Sequence, residues 1–100
     1  MFFRFKNSYT VVANYPKEVV YEKIISYIRK NDHEVISVQK PDKISFQTCP
    51  TLISFPINLD LILNVIDEKS TTLSVNYSSR QLDLGRSRKI IDNILAEKIV

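Results

Sequence analysis

The side chains able to do chemistry are few and scattered. His33 is the only histidine and Cys49 the only cysteine in 100 residues, and neither stands at metal-ligand or nucleophile–base spacing from a second residue of the needed type. Neither a metal site nor a cofactor site is legible. His33 reads as a surface residue following a helix, and Cys49 as a small buried hydrophobe. Asp60, Asp67, Glu68 and Asp83 are carboxylates, but no spacing pairs two of them as general acid and base. No catalytic residue is assigned, and the chain reads as a non-enzyme. The one dense group is the junction Ser78 to Ile91, which gathers Arg80, Arg86, Arg88 and Lys89 around Asp83 and the chain's only glycine, Gly85.

Arginines beside a helix start make an anion-binding arrangement, because the free N–H groups there carry partial positive charge. The candidate anion-binding residues are Arg80, Gly85, Arg86 and Arg88. The competing reading is architectural: a helix from about Leu84 takes Asp83 as its N-cap, the carboxylate accepting from Gly85 or Arg86, a bond whose loss costs about 0.5–2 kcal/mol. Gly85 then falls in the first turn, where its poor helix propensity points to a close approach by a strand or a ligand. Cations at this end oppose the helix dipole, so a compensating partner is expected.

The elements that must position this junction follow from periodicity. From Phe3 to Ala13 the odd positions carry Phe3, Phe5, Tyr9, Val11 and Ala13 while the even ones carry Arg4, Lys6, Ser8 and Thr10, the pattern of one long strand. Pro16 then opens a helix at its first turn, capped by Asn14 or Tyr15, with Val20, Ile24, Tyr27 and Ile28 on one stripe. Asn31 should end it, since asparagine tolerates the left-handed conformation. Val35–Gln39 and Ile44–Thr48 form a hairpin about a type I turn with Pro41 and Asp42 at its centre. Residues 49–56, bracketed by prolines, form either an irregular edge or a loop. A second hairpin joins Ile57–Ile66 to Leu73–Ser78 through a turn at 67–70. The last helix carries Ile90, Ile91, Ile94 and Leu95 on one stripe.

The order is therefore β-α-β-β-β-β-α: one α+β domain over residues 1–100, an antiparallel sheet with both helices on one face, since each apolar stripe needs cover. The other sheet face stays open. It carries Arg4, Lys6, Thr10, Asn58, Asp60, Asn64, Ser74, Asn76 and Ser78, with apolar relief only at Val12, Ile62 and Ile66, and water is its default cover, ahead of a partner or a homodimer contact. Of the residues 44% are hydrophobic and 25% charged, with a formal net charge of +3. That balance is ordinary for a globular domain and short of the excess a dedicated nucleic-acid binder carries. No apolar run is long enough for a signal peptide or a membrane span, and a lone cysteine suits a reducing compartment, so a cytoplasmic location is expected.

Ser79-Arg80, then Asp83-Leu84-Gly85, then Arg88 resemble the carboxyl end of an uncharacterised domain family of bacteria and plastids. Its signature reads Ser-Arg, a spacer, Asp-Leu-Gly-x-Asn-Arg and a helix. The spacer here is shorter, and Ser87 stands where the family has Asn. The resemblance implies a recurrent joint and no reaction. The element order is also similar to one repeat of the TATA-binding-protein fold. Together these readings favour a non-enzymatic domain that binds a protein partner or a small or anionic ligand, through the open sheet face or the basic junction. The alternative is a nucleic-acid-binding module using the basic residues at 80–89.

Overall fold

In the computed structural model, which describes residues 5–48, 56–80 and 85–98, the period-two stretches form five strands and the two amphipathic stretches form helices. Their order is β1 (Phe5–Ala13), α1 (Lys17–Lys30), β2 (Glu34–Gln39), β3 (Lys43–Gln47), β4 (Ile57–Asp67), β5 (Ser70–Ser79) and α2 (Arg86–Leu95). The sheet runs β1-β5-β4-β3-β2, with every neighbouring pair antiparallel. The first strand thus pairs with the last, and α1 carries the chain from one edge of the sheet to the other.

Register decides which side chains meet. Leu59 lies opposite Phe46, Leu61 lies between Ile44 and Val75, and Leu63 faces Leu73. All of these are buried, together with Val20 and Ile24 of α1 and Ile91 and Ile94 of α2, in one cluster. Both helices therefore lie on one face, as the two stripes require. Burying each such Leu, Ile or Phe contributes about 1.5–3 kcal/mol, so this layer is the main favourable contribution to the fold.

Several local details depart from the sequence reading. Pro16 is the N-cap of α1 rather than its first helical residue, with φ −59° and ψ 154°. Its carbonyl accepts from the Val20 N–H at 3.0 Å, so neither Asn14 nor Tyr15 caps the helix. At the other end Asn31 keeps φ −105°, and the left-handed residue is Asp32, φ 53°. The N–H of His33 reaches the Ile28 carbonyl at 3.0 Å and that of Asp32 the Arg29 carbonyl at 3.3 Å. That pair of bonds is a Schellman motif, which places the left-handed residue one position beyond Asn31.

The β2–β3 turn also differs. The Asp42 N–H bonds the Gln39 carbonyl at 2.6 Å, so Pro41 occupies the third turn position. The Lys40–Pro41 peptide is cis, which makes this a type VI turn rather than type I. Between β3 and β4, residues 49–55 lie outside the described residues, and Cys49 with them. Thr48 closes the gap: its N–H donates to the Ile57 carbonyl at 3.0 Å, and its Oγ1 accepts from the Ile57 N–H at 2.9 Å.

Candidate functional site

The described residues flank the junction's positions 81–84 on both sides. Asp83 lies outside the described residues, and the helix begins at Arg86 with Gly85 in the capping position. Gly85 has φ 84°, and among the described residues a Cβ built on it would meet nothing within 4 Å. The left-handed backbone, which glycine enters without steric cost, is itself a reason for glycine here.

The arginines are engaged. The Arg88 guanidinium stands over the Tyr9 ring at 5.6 Å and faces the Asp92 carboxylate one turn on at 3.8 Å. That is the compensation expected of a cation in the first turns of a helix with no acidic residue there. Arg80, just beyond the end of β5, and Arg86, half-buried at the start of α2, also have interactions of their own. Arg88 is thus turned onto β1, while Arg80 lies at the end of the sheet.

Opposite the helices, the polar face of β1, β5 and β4 forms a groove of about 590 Å³. Two rungs build it. Lys6, Ser78 and Asn58 lie abreast, and Ser8, Asn76 and Asp60 lie abreast beside them. Lys6 and Asp60 hold diagonally opposite corners. From strand spacing and rise, their Cα atoms lie about 12 Å apart. Among the described residues neither makes an ion pair. Asn58 Oδ1 is buried at the groove without a hydrogen-bond partner among them. A buried acceptor left unsatisfied costs about 1–3 kcal/mol, so a donor brought to it is favoured.

Parity alone put Lys6, Asn58, Asp60, Asn76 and Ser78 on the open face. What it missed was Ser8's place in the same rung as Asp60, which depends on β1 pairing with β5 and not with β4.

His33 is half-buried, not a bare surface residue. Its ring stacks on Phe46 at 5.9 Å and meets Tyr27 at 5.4 Å, because the Schellman turn folds it back over α1. Burial holds its pKa below the usual 6.5, with a smaller opposing effect from Asp32. The Tyr27 phenol is pushed up, by burial first and by the Glu97 carboxylate second. Among the described residues no group of three His, Cys, Asp or Glu side chains is placed to hold a metal ion. No helix among them is long and apolar enough to cross a membrane.

The class of fold is α+β, an antiparallel sheet gripping helices on one face. A solved structure that shares it is the Zhui aromatase/cyclase from a Streptomyces species, at TM-score 0.58 over 94% of this chain and 93% of that one. Sequence identity is 12%, so the likeness is one of fold. No protein-family profile and no curated protein sequence matches the chain.

Proposed function

We propose that the chain is a non-catalytic binding domain and that the groove on the outer sheet face takes a short peptide zwitterion. The observation that carries this is the pair of opposite charges, Lys6 and Asp60, without an ion pair among the described residues, at the two corners of a groove otherwise lined with amides and hydroxyls. An extended tripeptide spans about 10 Å. With both protein side chains leaning inward, its carboxylate meets Lys6 and its ammonium meets Asp60. Asn58, Asn76, Ser8 and Ser78 then face peptide N–H and C=O groups, which need partners when they leave water. Among the described residues the lining carries amides, hydroxyls and the two charges, a set suited to hydrogen bonding and ion pairing. The basic junction is the weaker place for a ligand, since Arg88 already has both Tyr9 and Asp92.

Titration with triglycine, followed by backbone amide shifts, is the test. The expected result is saturable movement of Asn58, Asp60, Asn76 and Ser78 with the amides of α1 unmoved. Shifts confined to the start of α2 would move the site to the junction, and no shifts at millimolar triglycine would remove this ligand class.

A further inference from the structure

The two edges of the sheet are built differently. β2, at one edge, shifts register between Val35 and Ser37. A bulge of this kind twists an edge and spoils it for pairing with another strand. β1, at the other edge, runs nine residues in unbroken register with β5. It contains no proline, and its only formal charge is Lys6. Among the described residues no strand covers its outer edge. Phe5 and Val12, toward its two ends, are 42% and 58% exposed. A long regular edge with no bulge or proline, and with one charge near its end, is a template for one more strand.

We propose that the added strand is β1 of a second copy of this chain, running antiparallel about a two-fold axis at Tyr9. The choice of occupant comes from the strand's own sequence. In a two-fold pair, side chains share a face only if paired residues differ by an even number. The axis at Tyr9 satisfies this and also overlaps all nine residues. It sets Tyr9 against Tyr9 of the second copy on the helix side, and Ser8 against Thr10 on the open side. Aromatic pairs and Ser–Thr pairs are among the favourable cross-strand combinations. It also sets Lys6 opposite the exposed Val12 of the other copy. The two Lys6 ammonium groups stay about 20 Å apart along the strand, so the only charges on the edge do not oppose each other. The contact is isologous and closes on itself, joining twice five strands into one sheet.

Thr10 tests this, because it is exposed, lies outside the groove and sits next to the axis. Sedimentation equilibrium of the wild-type chain should give about twice 11.6 kDa as concentration rises from micromolar to millimolar. Thr10→Lys and Thr10→Glu bring like charges together across the axis, and each should raise the dimer dissociation constant at least about tenfold. An equimolar mixture of the two should restore association as the heterodimer. A wild-type chain that stays at 11.6 kDa at millimolar concentration overturns the proposal, whatever the variants do. So do variants that dimerise as tightly as wild type.

Discussion

Lys23 donates a hydrogen bond from its ammonium to the backbone carbonyl of Glu97, across 74 residues of sequence. Lys23 is only 6% exposed, and it also lies over the Tyr15 ring at 4.4 Å. The Glu97 side chain is held as well, by the Ser26 hydroxyl at 3.2 Å and by Lys30 at 3.7 Å. Glu97 lies just beyond the cap of α2, outside the helix's own hydrogen bonding, so its carbonyl takes a partner from elsewhere, and a cation near this end also suits the helix dipole. This clasp fastens the end of α2 to α1 and so holds both helices on the same face of the sheet.

Lys23→Met keeps the apolar stem and removes the donor. It should lower unfolding stability by about 1–2 kcal/mol, from the lost bond and the lost contact with Tyr15. Glu97→Gln keeps the backbone carbonyl and should cost no more than about 0.5 kcal/mol, since Lys30 is largely in water. Urea denaturation of the two variants checks the order; equal losses would mean that the carboxylate, not the carbonyl, is the anchor.

Gly85 separates a conformational role from a steric one. Gly85→Ala should destabilise by about 1–2 kcal/mol, because an L side chain is strained at this positive φ although the described residues leave space around it. Gly85→Asn should cost clearly less, since asparagine tolerates the left-handed region. Thermal unfolding of both variants decides the matter: a larger loss for the bulkier Asn would point to crowding instead.

The pH dependence of stability should carry the mark of His33. Burial keeps its folded pKa below 6.5, while in the unfolded chain it titrates near 6.5. Between those two values the unfolded chain binds more protons, so the contribution is complete above pH 6.5 and is lost as pH falls through the folded value. Denaturation midpoints of wild type and His33→Gln, measured from pH 7.5 to 4.5, should converge as pH falls. Parallel curves would show that His33 titrates alike in both states.

Much of this fold could be read from the sequence because its physics is local and periodic. The alternation in β4, from Ile57 to Leu63, and the stripe of α1 each fix a buried face without knowledge of the partner. What escaped depends on backbone geometry at single residues or on distant pairing. Asn31 and Asp32 are both tolerant of the left-handed region, and only the bonds to Ile28 and Arg29 choose between them. Pro41 fits two turn types, and the Gln39–Asp42 bond selects one. The groove needed the register of β1 on β5, which no stretch of either strand specifies alone; Tyr9 under Arg88 was hidden for the same reason.

The most direct test of the binding proposal is calorimetric titration of triglycine and its end-blocked forms into wild type and Asp60→Asn. In wild type, N-acetyltriglycine, which lacks the ammonium, should bind more weakly than triglycine by up to about fivefold, since an exposed charge pair such as that with Asp60 contributes about 0.2–1 kcal/mol. In Asp60→Asn the two peptides should bind alike, because the carboxylate that distinguishes them is gone. If wild type binds both equally, or if Asp60→Asn still prefers the free ammonium, the groove between Lys6 and Asp60 is not a zwitterion site.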